Sequence, residues 1–414
     1  MEKLSRMGIC GLRRRENLMD NILTLPKKDQ ANRIIAALRS GTPPKEGVDF
    51  YSVGREQLLT YFKDKLIEIK DNGISDIKFV SANWGEGKSH FLDLLRDLAL
   101  KHNFVVSKVE LHSIDVPFDK LPIVIQHIMK NIATPKEREN GLEALLDDWS
   151  FRNKAKNKQE IFNSLKDIGI YPDMRMKLEE YQRYYNHVAG PEYEQCLQVL
   201  KWFKGEETRT RTFRDVREYL HSFVLFIRSL GYSGFVIMLD EAEAITSLSR
   251  IGKRDLANEN IRQIIDNDQN MQGFYVIFAS TPTFLSGEDE RGAQSYGALW
   301  RRISDPLQGL QQDSLQKVIV ELPKLTEEEF FCLAQKIKEV YEVAKGQNLT
   351  MVNDNHLRSL AHYIQNRGDQ RVGTMVRSTV AILDGATSSD FDFLAGFELI
   401  VEKIREQEAI DKDR

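Results

Sequence analysis

Five short runs of the chain are almost unbroken in apolar residues. They are IKFVSA (77–82), FVVSKVEL (104–111), GFVIMLDE (234–241), FYVIFAST (274–281) and KVIVEL (317–322). A strand with one wet face alternates polar and apolar positions, whereas a run apolar throughout belongs to a strand covered on both faces. Stretches with apolar residues three and four apart separate the runs, as in SHFLDLLRDLALKH at 89–102. Strand and helix in alternation predict an α/β fold around a parallel five-stranded sheet.

Ahead of the first run, DQANRIIAALRSGTPP (29–44) reads as an amphipathic helix halted by glycine and prolines. A turn at YSVGRE (51–56) leads into a second helix. Residues 112–233 separate the second and third strands, far too many for a plain connection. EIFNSLKDIGI (160–170), MKLEEYQRYYNHV (176–188), YEQCLQVLKWF (193–203) and FRDVREYLHSFVLFIRSL (213–230) carry helical spacing, so the stretch predicts a helical insertion. After the last strand, Thr326 with Glu329 three positions on reads as a capping box that opens more helices. The expected division is an N-terminal tail at 1–28, a core from 29–128 and 229–323, a helical insertion at 129–228 and a C-terminal helical lid at 324–414.

Composition narrows the class. A chain of 414 residues exceeds one ordinary core. No run approaches the roughly 18 uncharged apolar residues of a membrane helix, so no membrane partner is expected. A net charge of −4 makes the whole molecule no magnet for nucleic acid, though a local basic patch stays open. Cys10, Cys196 and Cys332 lie far apart without a CxxC, which argues against a disulfide framework or a zinc site and for a reducing, cytoplasmic compartment. The basic N-terminus lacks an apolar stretch and so is no secretory signal. It reads as a disordered tail, or as upstream sequence before a start at Met7 or Met19.

The chemistry concentrates around SANWGEGKSHF (81–91), between the first strand and the first long helix. A helix start presents N–H groups that no intrahelical carbonyl satisfies, and the helix dipole adds positive potential there. The backbone from Asn83 and Trp84 through Gly85, Glu86 and Gly87 to Lys88, Ser89 and His90 would line an anion cup. Gly85 and Gly87 let it close where a Cβ would collide. Lys88 would reach β- and γ-phosphate oxygens and Ser89 would offer its hydroxyl to Mg²⁺, the logic of G-x-x-x-x-G-K-[ST] with Ala82 in place of the first glycine. The third run ends in Asp240 and Glu241, at the strand edge where parallel sheets collect ligands. Asp240 would hold Mg²⁺ through water and Glu241 would polarise the attacking water, a role Glu243 is also placed to take. Ser280 and Thr281 end the fourth run, either to sense a γ-phosphate or to cap the turn at Pro282. Arg301 and Arg302 stand on a helix before the last strand, and Arg371 follows a Gly-Asp turn in the C-terminal region.

In this order the motifs resemble AAA+-type P-loop ATPases of the ASCE division. VGRE (53–56) then lies near the adenine, which implies nucleotide contacts at Gly54 and Arg55, and GDQR (368–371) is the sensor of a helical lid. More narrowly, RIIAALRSGTPP…VGRE, GEGKSHFLDLLRDLAL…FVVSKVEL, VIMLDEAEAI and IFASTPTFL…YGALWRRI resemble the BREX-system ATP-binding family of bacteriophage-defence islands, over about residues 30–385. The size suggests the short accessory ATPase type. The resemblance implies ATP and Mg²⁺, ATP hydrolysis in a motor or switch subunit, and other defence-system proteins as partners. It also implies a homo-oligomer in which Arg301 or Arg302 acts in trans. Ala82 departs from the family pattern, and so does a Ser/Thr sensor where many relatives use asparagine.

Other readings stay open: a nucleotide-controlled scaffold with little hydrolysis, and an initiator-like DNA-binding ATPase. RTRTFRDVR (209–217), with Trp202, Phe203 and Phe213 nearby, interleaves basic and aromatic residues as a strand of DNA would require. A solvated helix face near the end of the insertion is the favoured reading. Given the acidic balance, DNA contact is expected only weakly or through an assembled complex.

Overall fold

The computed structural model describes residues 25–44, 46–206, 213–267, 270–286, 291–304, 315, 317–367, 371–387 and 393–412. The basic residues 209–212 and the Gly-Asp-Gln of GDQR lie outside them. Along the chain, α1 (Lys28–Arg39) and α2 (Glu56–Asn72) precede β1 (Asp76–Ser81). Next come α3 (Lys88–Lys101), β2 (Val105–Glu110), α4 (Leu121–Lys130) and the two-residue β3 (Ile132–Ala133). The insertion holds α5 (Gly141–Arg152), α6 (Lys158–Asp167), α7 (Pro172–Tyr184), α8 (Pro191–Phe203) and α9 (Phe213–Ser229). β4 (Phe235–Asp240), α10 (Ile251–Asp266), β5 (Phe274–Ser280), α11 (Pro282–Ser286), α12 (Gly297–Ile303) and β6 (Ile319–Glu321) follow. The chain closes with α13 (Glu327–Lys345), α14 (Asp354–Asn366), α15 (Val372–Gly385) and α16 (Phe393–Lys412).

Contacts divide the chain into two units. The sheet unit contains Gln57–Asn83 and Leu94–Leu322. Its strands run in the order β3-β2-β4-β5-β1-β6, and the five expected from sequence are all parallel. They form the parallel α/β core that the alternation of strand and helix predicts. β3 is an unanticipated sixth strand, antiparallel to β2 through Val106↔Ala133 and too short to leave a pattern. Gly141 sits against it so closely that a Cβ would lie 2.4 Å from the Ile132 carbonyl oxygen. β1 is paired on both sides. The Phe79 and Phe278 rings stack across β1 and β5 at 5.0 Å, and Phe118 meets Phe278 edge-on at 5.7 Å. The buried Lys78 ammonium donates to the Lys317 carbonyl at 2.7 Å, tying β1 to the chain that enters β6. The insertion shares the sheet's core: Phe223 of α9 lies edge-on to Phe235 of β4 at 5.3 Å, and Trp149 of α5 meets Phe226.

The second unit comprises the described residues of Met1–Glu56, Trp84–Asp93 and Pro323–Arg414. Helix α1, grouped with the sheet in the sequence reading, shares the core of this unit: Ala31, Ile34, Ile35 and Leu38 are buried with residues of α13 and α15. The capping box forms as expected, with the Glu329 N–H donating to Thr326 Oγ1 and the Thr326 N–H donating to Glu329 Oε2. Arg39 donates to both Asp384 oxygens at 2.7 Å, and the Tyr341 hydroxyl adds a third bond. Cys196 is free and buried, and Cys332 is buried in the core of this unit.

Phe278→Ala removes the ring that both Phe79 and Phe118 rest on. It is expected to cost ~3–5 kcal/mol, read as a lower urea midpoint at unchanged slope.

Candidate functional site

The glycine loop begins where β1 stops. The β1–β5 ladder reaches Ser81↔Ser280 and continues one step, because the Ala82 N–H donates to the Ser280 carbonyl at 3.2 Å. Ala82 is thus a buried extension of the strand with no positive φ, which is why the motif's first glycine can be absent here. Asn83 is exposed.

Within the helical unit, Gly85 and Gly87 both adopt the left-handed backbone (φ 80° and 97°) that other residues resist. Gly85 also faces a close neighbour: a Cβ there would lie 2.8 Å from Arg371 Cγ. The Gly87 carbonyl accepts the Phe91 N–H at 2.9 Å and so starts α3. Lys88, its first residue, is 5% exposed, Ser89 and His90 are half-buried, and Trp84 is 38% exposed. The Glu86 carboxylate points to Lys324, 3.8 Å away.

Gly54 and Arg55 serve this loop from behind. Gly54 packs against the α13 cap, where a Cβ would stand 2.5 Å from Glu329 Oε1. The buried Arg55 guanidinium donates to the carbonyls of Pro323 and Glu86. Burial pulls its pKa down to about 10 against the opposing pull of Glu329, Glu56 and Glu86, so it remains a cation at neutral pH. Tyr51 and His90 meet through the phenol oxygen and Nδ1 at 3.2 Å. Arg371 lies with its stem over Gly85, while the following Val372 N–H donates to the Gly85 carbonyl at 2.8 Å. Sequence reasoning missed Tyr51, Thr374, Arg377 and Glu408. Glu408 stands 34 residues beyond the Thr374 hydroxyl that bonds it, and no local pattern announces the pair.

In the sheet unit, Asp240 ends β4 in register with Glu110, is 3% exposed and accepts the Glu241 N–H at 3.1 Å. β5 lies between β4 and β1, so Asp240, Ser280 and Ser81 end three successive strands of one sheet edge. Glu241 holds φ 55° and ψ 44°. The other described non-glycine residues with positive φ are asparagines, which tolerate that region far better than glutamate. Its strained conformation aims the chain from β4 into the 3-10 turn that carries the half-buried Glu243. Ser280 is fully buried, and its hydroxyl donates to the Thr281 carbonyl at 3.3 Å. Thr281 is half-buried.

The two helix arginines separate. Arg302 forks onto Asp266, also a partner of Arg262, and donates to the Ala298 carbonyl at 2.8 Å. The Arg302 guanidinium holds the Asp266 carboxyl below its usual range, and Arg262 holds Glu259 down at about 2. Arg301 is exposed and donates to the Gly297 carbonyl at 3.3 Å.

Within the helical unit, the glycine-lined helix start, the buried Lys88 and the Ser89 hydroxyl form a donor set that fits a polyphosphate. A model of the family described as BREX system ATP-binding protein BrxC/D matches residues 26–384. The chain belongs to that family. No curated protein matches it. Solved structures of the ORC2 protein of Aeropyrum pernix are similar in part. One, of ADPNP and ADP complexes, is 13% identical with a TM-score of 0.40 over 80% of this chain. An ADP form is 12% identical with a TM-score of 0.41 over 84%. The chain covers 60% of the first ORC2 chain and 67% of the second, and at these scores the likeness adds nothing to the architecture argued above. Among the described residues no helix is long and apolar enough to cross a membrane.

Glu241→Gly relieves the left-handed strain while removing the carboxylate. It is expected to raise stability by about 1 kcal/mol, measured by urea unfolding.

Proposed function

We propose that this BREX-family chain binds ATP with Mg²⁺ at the glycine loop and hydrolyses it, as the motor or switch subunit of a bacteriophage-defence assembly. The observation that carries the reading is the strand register: the strand feeding the loop ends one strand away from the strand ending in Asp240 and Glu241. Lys88 and the amides of Gly85–Ser89 grip the β- and γ-phosphates, a desolvated cation acting more strongly than it would in water. Mg²⁺, when bound, neutralises charge on the phosphate oxygens. Ser89 and Asp240 are the oxygen donors that would hold it. Glu241 orients the attacking water and takes its proton, and Glu243 is the alternative base. Thr281 is the better placed of the two sensor residues, since the Ser280 hydroxyl serves the backbone. Gly54 and Arg55, expected as nucleotide contacts near the adenine, also support the loop, Arg55 through the Glu86 carbonyl.

Arg301 is the residue that a neighbouring copy would receive, because it is exposed whereas Arg302 is bound by Asp266. Other proteins of the BREX system are the partners this role requires. DNA is engaged, if at all, through their complex.

Lys88→Ala is expected to abolish nucleotide binding by calorimetry, whereas Glu241→Gln retains it and releases phosphate at least ~100-fold more slowly. Normal turnover by the glutamine variant transfers the base role to Glu243. No turnover by the purified wild-type chain, with or without DNA, favours an assembly switch instead. Arg301→Ala is expected to lower turnover at unchanged stability, and Arg302→Ala to lower the melting temperature.

A further inference from the structure

The C-terminal helix places a buried carboxylate behind the phosphate loop. Glu408 of α16 is 6% exposed. Its Oε2 accepts the Thr374 hydroxyl at 2.8 Å and lies 3.2 Å from Arg371 Nη1, while Oε1 lies 3.6 Å from Arg377 Nη1. Arg377 in turn donates to the neighbouring Gln407 at 2.8 Å. Such a carboxylate is fixed from several directions, unlike a surface ion pair between two mobile side chains. Arg371 is held at both ends: its stem lies over Gly85 and its guanidinium meets Glu408. The α15 N-terminus is pinned to the same glycine, because the Val372 N–H donates to the Gly85 carbonyl.

We propose that Glu408 is a positioning residue: it holds the Arg371 guanidinium beside the glycine loop, so that the arginine meets an incoming γ-phosphate already ordered. The inference rests on the ATP reading above. A free arginine loses the freedom of its long side chain when it orders on a ligand, and a second-layer carboxylate removes much of that cost beforehand. Arg371 would meet the phosphate while its Nη1 stays with Glu408, and Arg377 and Thr374 complete the partners of that carboxylate. The last helix is thereby linked to nucleotide binding through one side chain. Glu408 does not touch the nucleotide; it acts through Arg371, and its influence should fall on ATP more than on ADP.

The test measures ATP and ADP dissociation constants by calorimetry with Mg²⁺ on the full chain, for wild type, Arg371→Ala, Glu408→Gln, their double variant and Lys88→Ala. Arg371→Ala and Glu408→Gln are each expected to weaken ATP by about 10-fold and ADP by less than about 3-fold, with the double variant no weaker than Arg371→Ala alone. Thr374→Val, which keeps both charges and loosens Glu408, is expected to give a smaller loss of the same ATP-selective kind. It replaces Glu408→Gln should that variant fail to fold. Equal losses for ATP and ADP, additive effects in the double variant, or wild-type ATP binding by Glu408→Gln overturn the proposal while leaving the ATP reading intact. Wild-type ATP binding by Lys88→Ala overturns both.

Discussion

The structure depends on β1 being a central strand. Hydrogen-bonded on both edges and covered on both faces, it cannot shift register without exposing Phe79 and separating the buried Lys78 from the carbonyls it satisfies. Because the ladder to β5 runs one residue past the strand, the exit point of the glycine loop is fixed to the backbone of Ser280. The loop can be rich in glycine and still start from a defined place. Rigid ends fix where the loop starts and stops, and its left-handed glycines let the backbone curve so that amides can converge on an anion.

A second layer of polar groups supports that loop, and most of it is bonded to backbone. Arg55 bonds the Glu86 carbonyl, Val372 bonds the Gly85 carbonyl, and Gly54 allows the α13 cap to approach. These contacts satisfy carbonyls that a tight turn would otherwise bury unpaired. The sheet unit shows the same economy in its acidic edge: Asp240 accepts the next residue's N–H, and the adjacent helices hold their charges in the Arg262–Glu259–Asp266–Arg302 network.

What the sequence disclosed follows from which signals are local. Five strands were legible because two-sided burial writes an apolar run, and the α13 start because a capping box needs four residues. β3 was not, since two residues have no period. The places of Lys88 at the start of α3 and Asp240 at the end of β4 could be read because a strand-loop-helix junction and a strand end are local events. The fate of Arg302 could not: Asp266 lies 36 residues away on another helix. The bonds of Arg55 to the Pro323 and Glu86 carbonyls could not be read either, because the identity of a guanidinium's acceptors depends on tertiary approach. The packing of α1 on α13 is likewise a long-range result, as the apolar stripe of α1 fits a helix or a sheet equally well.

The left-handed glutamate at the end of β4 separates two pressures on one position. Folding alone would favour glycine or asparagine at 241, and the proposed role of its carboxylate as the base argues for keeping a longer side chain there. Descendants that retained the loop but ceased to need the reaction would therefore drift first at this site. The residue found at 241 in a lineage then becomes a marker of whether its members still turn over what they hold.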